Sequence, residues 1–262
     1  MVELGLLLAA GAAGYLSIRY PWWRRAVPYE RPRILMYHMV DDRPSDAPVP
    51  HLAVSPRQFA KQVRWLKRNG WHFATMGELT EPLPAKTVVL TFDDGYADNL
   101  SHAAPILQAN GAKATIYLIA DRSQPLAAGG DEHGNPLSPL LTDDQVVELL
   151  NTGVVELGAH TLNHTDLTKL PPAAQREQIS ASKAQLEQAF GCCVSSFAYP
   201  FGRYDERAMA LVAEAGYASA VTTDSGMPHD LQAQCHQLPR VRISGADNFW
   251  NFRMRLRIGR KR

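Results

Sequence analysis

The stretch VVLTFDDGYADN, Val88 to Asn99, passes from an apolar, β-branched run into two adjacent carboxylates, Asp93 and Asp94, and then a glycine. The run reads as a buried strand, and the Asp-Asp-Gly reads as its end. Adjacent carboxylates raise each other's cost of ionisation unless a cation or separate tasks divide them. An Asp-Gly pair after a strand is ordinarily a turn, so the reason for the second Asp must come from elsewhere in the chain.

Working outward, similar short runs recur: RILMYH, ATIYLIA, VVELGA, SSFAYP, ASAVTT and LPRVRI, which with TVVLTF make seven candidate strands. Helical stretches separate them. Ser55-Pro56 opens RQFAKQVRWLKRNG, Thr142 caps DDQVVELLNTG, and DNLSHAAPILQANG, PPAAQREQISASKAQLEQAFG and DERAMALVAEAGY supply the rest. Alternating strand and helix predict an α/β architecture, a parallel barrel-like sheet wrapped by helices. Two segments without periodicity, 41–51 and 121–139, each follow a predicted strand. In a βα barrel this places them on the face where the chemistry is built.

The unusual polar residues fall at the same ends of these strands. His38 ends the first, Asp93 and Asp94 the second, His160 the fourth, and Tyr199 closes the fifth. HTLNH, His160 to His164, adds an i, i+4 histidine pair, which on one side of a helical turn can chelate an ion. Each has a plain alternative, a turn for the aspartates and a hydrogen-bonded core position for each histidine. Together they form a two-histidine, one-carboxylate set, a common holder of a catalytic divalent ion that leaves positions open for water and substrate. The set also gives the adjacent carboxylates separate tasks, one as ligand and the other as proton acceptor.

TFDDG, HTLNH and FAYPFGRYD, in that order, resemble the successive motifs of the polysaccharide deacetylase family, over roughly residues 33–243. ILMYH and YPFG are most similar to its poly-N-acetylglucosamine deacetylase branch. The resemblance implies a distorted (β/α)7 TIM-like barrel of the NodB type and removal of the N-acetyl group from an N-acetylhexosamine in a glycan. It implies Asp93 as general base, Asp94, His160 and His164 as ligands of one divalent ion, and His38 as the acid that protonates the departing amine. Zinc is the leading choice for that ion, with cobalt or nickel also compatible. Tyr199, Phe201 and Gly202 would line the sugar pocket. Two departures stand out. Ala198 occupies the place where many members keep an arginine that orients the base, leaving Arg203 or Arg240 as substitutes, and the late leucine-histidine motif is absent. Action on another amide, such as a formamide or cyclic ureide, and a catalytically idle glycan-binding role remain open alternatives.

The 262 residues, 45% hydrophobic and 20% charged, suffice for one barrel-sized domain. A formal net charge of +1 offers no argument for nucleic acid as a partner. Cys192, Cys193 and Cys235 make no disulfide framework. The apolar run 1–18, followed by RYPWWRR, has the features of a membrane anchor with an interfacial aromatic belt. The arginines on its domain side put the catalytic domain in the cytoplasm at a bacterial inner membrane; a secretory leader cut after AGA would make it periplasmic. FWNFRMRLRIGRKR at the other end suits either an anionic lipid surface or solvent. The expected organisation is therefore an anchor and linker over 1–30, a catalytic domain over 31–245 and a basic aromatic tail over 246–262. Basic aromatic segments at both ends suggest a membrane-surface enzyme of the cell envelope acting on a lipid-linked glycan or a lipopolysaccharide precursor.

Overall fold

Strand β3, Thr87–Phe92, is buried at every position, as a strand covered on both faces must be. A computed structural model describes residues 25–42, 49–79, 82–123 and 138–259. In it β3 pairs in parallel with β1 (Arg33–Tyr37) on one edge. Its other edge is shared: β2 (His72–Ala74) takes residues 87–89, and β4 (Ala114–Leu118) takes residues 90–92. From β4 the ladder continues through β5 (Val155–Ala159), β6 (Ser196–Ala198), β7 (Ser219–Ser225) and β8 (Leu238–Arg242). β8 then pairs with β1, closing a seven-stranded parallel barrel with β2 beside it. All seven expected strands are present; β2, only three residues long, carries too little pattern to be read.

The two-residue strand period sorts side chains between two cores. Ile34, Val89, Tyr117, Ala198, Val221 and Leu238 fill the barrel interior. Leu35, Tyr37, Val88, Leu90, Phe92, Phe197, Tyr199 and Val241 face the helices. The large Tyr117 ring fits inside because its neighbour on β5 is Gly158, where a Cβ would lie 2.4 Å from that ring.

The helices are α1 (Pro56–Arg68), α2 (Ala104–Asn110), α3 (Asp143–Asn151), α4 (Pro172–Phe190), α5 (Glu206–Glu214) and α6 (Phe249–Ile258). Ser55 caps α1, and Thr142 with Gln145 forms a reciprocal capping box on α3. The helix expected from Asp98 onward is split: Asn99–Ala103 winds as a wide π turn before α2 begins. Pro105 has no N–H for the preceding turn and crowds its carbonyl, which favours the widening.

The C-terminal segment differs from the expected tail. Through Ile258 it is a helix of the domain, with Phe252 and Leu256 in the outer core and the Phe249 and Phe252 rings edge-on to Trp65. Arg255 is buried in an ion pair with Asp247 at 2.7 Å. Buried Arg33 donates to the carbonyls of Val27, Pro28, Arg31 and Leu256, joining the start of the domain to α6. Alternating aromatic and arginine residues looked like a surface segment; the arginines are in part packing and pairing groups. The apolar run 1–18 lies outside the described residues, within which no helix is long and apolar enough to cross a membrane.

Candidate active site

The carboxyl ends of the strands surround a cleft of about 290 Å³ lined by His38, Asp93, Asp94, His160, His164 and Phe201, with Met36, His51, Leu52, Tyr96, Thr223 and Arg242. Strand alternation explains most of this. His38 follows inward Met36, Asp93 follows inward Val89 and Thr91, and His160 follows inward Gly158. Asp94 would point outward on the same count, but its backbone is left-handed, at φ 74°, which turns the carboxylate back into the cleft. Gly95 follows at φ 75°, a conformation that favours glycine, and a Cβ there would lie 2.3 Å from Leu118 Cδ1 and displace that side chain.

His160 Nε2 and His164 Nε2 each lie 3.4 Å from Asp94 Oδ1. The three potential ligand atoms fall within 4.8 Å of one another, all on buried residues. His160 Nδ1 lies 2.8 Å from the carbonyl of Ala198, a contact that leaves Nε2 to face Asp94. The histidine pair does not sit on a helical turn as its spacing suggested. Residues 160–164 form a tight loop in which Thr161 and His164 take φ 65° and 58°. The Thr161 hydroxyl accepts from His164 N and donates to His160 O, fixing that loop. Left-handed non-glycine residues thus cluster where side chains must converge.

Asp93 is held by Arg240, Nη1 to Oδ1 and Nη2 to Oδ2, each at 2.7 Å. Arg240 also donates to Thr91 Oγ1 and, through Nε, to Thr222 O. It is buried, and it performs the orienting task for which Ala198 has no side chain. Arg203 instead pairs with Asp166 at the edge. Burial alone would raise the Asp93 carboxyl, but the charge and hydrogen bonds of Arg240 hold it below the ordinary carboxylate value. Burial is likewise outweighed at Asp94, where His164, His160 and His38 pull the carboxyl well down. His38 Nε2 lies 3.9 Å from Asp93 Oδ2, and its burial, against the pull of both aspartates, lowers its pKa.

The end of β1 is buttressed from the π turn. Asn99 Nδ2 donates to His38 O, and Asp98 Oδ1 accepts from Val40 N and Asn99 Nδ2. Asp98 Oδ2 is buried without a hydrogen-bond partner among the described residues. Burial pushes the Asp98 carboxyl up to about 6.

Of the three expected sugar-pocket residues, only Phe201 lines the cleft, its ring 4.7 Å from that of His164. Tyr199 faces outward: it is fully buried, stacked on Tyr204, and its hydroxyl donates to His236 O. Ala198 takes the inward position on β6, so the alternation leaves Tyr199 none. Gly202 is packed against Thr223 behind the cleft wall. Arg242 was missed, although the same alternation from Leu238 through Arg240 points to it.

The sequence profile of the polysaccharide deacetylase family matches residues 80–220. Bacillus subtilis YxkH, named as a polysaccharide deacetylase, is 32% identical over 85% of this chain and 75% of its own length. The poly-β-1,6-N-acetyl-D-glucosamine N-deacetylase of Escherichia coli K12 is 26% identical over 90% of this chain, which spans only 39% of that longer protein. The structure of the Streptococcus pyogenes deacetylase PplD in complex with acetate superposes with a TM-score of 0.71 at 30% identity, covering 84% of this chain and 95% of that one. With the closed seven-stranded barrel and its cleft, these likenesses establish that the chain belongs to the polysaccharide deacetylase family, hydrolases of the amide C–N bond of N-acetyl sugars.

Proposed function

We propose that the protein removes acetyl groups from the N-acetylhexosamine units of a cell-envelope glycan, with Asp93 as base and His38 as acid. The observation that carries this reading is the division of the aspartates: Asp93 is fixed by Arg240, and Asp94 faces His160 and His164. The names of the Escherichia coli and Streptococcus pyogenes relatives support the glycan and the acetyl group.

The donor set suits a divalent ion, since an oxygen and two imidazole nitrogens converge with one imidazole oriented from behind. Held by Asp94, His160 and His164, zinc or a similar ion would supply Lewis acidity toward the acetamide carbonyl and a water of lowered pKa. Asp93, ionised by its contact with Arg240, takes the proton as water adds to the carbonyl carbon. The His38 imidazolium gives a proton to the nitrogen as the C–N bond breaks, releasing acetate and the free amine. A backbone N–H near Phe201, whose side chain lines the cleft, would support the developing oxyanion.

The expected membrane contact of the C-terminal segment loses support from the packing of α6. Residues 1–18 with RYPWWRR remain the basis for proposing attachment to a bacterial inner membrane, the domain on its cytoplasmic side. Membrane fractionation and protease protection of intact cells test this, and a soluble, unprotected protein would overturn it.

The test of function is acetate release from chitooligosaccharides and from β-1,6-linked N-acetylglucosamine oligomers. Asp93→Asn should retain metal and lose turnover. No acetate from any N-acetylated amino sugar, with turnover of a formamide or cyclic ureide, would transfer the same residues to another amide.

A further inference from the structure

Arg242 differs from several other arginines of the domain. Leu238 and Arg240 point into the barrel while Val241 points to the helices, so the strand period brings Arg242 inward again, one step nearer the mouth. It is in register with Met36 of β1 and lines the cleft beside His38 and the two aspartates. It is exposed to solvent. Arg33, Arg122, Arg203 and Arg255 are engaged by carbonyls or carboxylates. No such partner engages Arg242 among the described residues. The nearby carboxylates do not compete for it, because Asp93 is bound on both oxygens by Arg240 and Asp94 faces two imidazoles.

A guanidinium directed into a substrate cleft with its donors unused is a receptor for a planar or tetrahedral anion, since its fork matches carboxylate and phosphate oxygens two at a time. Hydrolysis itself leaves it no task, because base, acid and ligand positions are filled by other residues. We propose that Arg242 is a specificity residue that binds an anionic group, phosphate or carboxylate, carried by the substrate close to the N-acetyl group that is cleaved. This rests on the deacetylase reading for where the reacting group lies, and it places acidic N-acetylated glycans ahead of a neutral homopolymer.

The experiment compares the metal-loaded full-length protein with Arg242→Gln and Arg242→Lys. Calorimetry measures binding of N-acetylglucosamine, N-acetylglucosamine 6-phosphate and N-acetylmuramic acid, with inorganic phosphate as the control for capture by the metal alone. Metal content and Tm verify that each variant is folded. The wild type should prefer an acidic sugar over the neutral one by roughly tenfold to a hundredfold, the worth of a charge-assisted contact. Arg242→Gln should lose that preference and Arg242→Lys should keep part of it, with the same ordering in the ratio of kcat/KM for acidic over neutral substrates. Loss confined to the phosphate probe identifies a phosphorylated glycan, and loss confined to the carboxylate probe an acidic sugar. An equal preference in wild type and Arg242→Gln overturns the proposal. If no sugar releases acetate but the Arg242-dependent preference persists, the deacetylase reading fails and the anion site stands.

Discussion

Arg240 and Asp93 form a two-point ion pair inside the barrel, Nη1 to Oδ1 and Nη2 to Oδ2, each at 2.7 Å and sealed from solvent. Removing the cation leaves a buried carboxylate without a partner, so Arg240→Met should cost about 3–5 kcal/mol at neutral pH. The sign with pH follows from the lowered Asp93 pKa. In the wild type the pair stabilises above the unfolded carboxyl value, and that stability is lost as pH falls through the folded one. In the variant, burial acts alone and raises the pKa, so the carboxylate costs more as pH rises. The Tm gap between the two proteins should be widest near pH 7 and narrow toward pH 4. Arg240→Met with Asp93→Asn should recover part of the loss, and a gap independent of pH would show that Arg240 acts through packing only.

His164→Ala removes one of the three convergent atoms suited to hold a divalent ion. Bound divalent metal should fall from about one equivalent to a small fraction with the far-ultraviolet spectrum retained, since ligand geometry sets affinity. Full occupancy in the variant, measured by atomic emission, would remove His164 from the centre.

If His38 acts as proposed, donating a proton to the leaving nitrogen, its removal should matter in proportion to how badly the leaving group needs a proton. His38→Ala should lower kcat on an N-acetyl sugar by ~10²–10⁴-fold. On 4-nitrophenyl acetate, whose phenolate departs unaided, the loss should be far smaller. Equal losses on both substrates would assign His38 a different task.

Asp98 offers a pH test away from the reacting atoms. Its carboxyl is raised to about 6 by burial, so its contribution to stability is fully present below the unfolded carboxyl value and is lost as pH rises through about 6. Asp98→Asn, which stays neutral, should therefore gain Tm relative to the wild type as pH rises from about 4 to about 6 and hold that gain at higher pH. A gain that does not change with pH would place the effect elsewhere.

Phe252 separates a docked helix from a free tail. It is fully buried between Trp65 and Phe249, so Phe252→Ala should cost about 3–5 kcal/mol in denaturant unfolding. A negligible change would mean that α6 contributes little to the core.

How much of this was legible in the sequence depended on the range of the interaction concerned. The seven barrel strands were readable because β-branched runs report burial locally, and the convergence of Asp94, His160 and His164 because their motif types are specific. Asp94 was identified by type, but its left-handed backbone was not foreseen. The His160–His164 loop was misread as a helical turn, since i, i+4 spacing serves a tight loop equally well once Thr161 bonds across it. Tyr199 was misplaced although strict alternation through Phe197 and Ala198 would have turned it outward. Arg240 could be named only as a candidate, because its contact with Asp93 spans 147 residues. The tail was misread because a helix whose arginines pair and stack has no clean apolar stripe to count.

The interior of the barrel has floors, and Asp93 and Arg240 meet on one of them. The family resemblance implies an orienting arginine at the place held here by Ala198 on β6, whose inward position is empty of polar atoms and whose carbonyl serves His160 instead. A guanidinium reaching in from β8, two residues beyond the Leu238 that stands level with Ala198, meets the same carboxylate. What this chemistry requires is therefore an address on a floor, not a position along the chain, and the strand that answers at that address is interchangeable. A related barrel with alanine at the β6 position should be searched floor by floor for its cation before it is judged to have lost one.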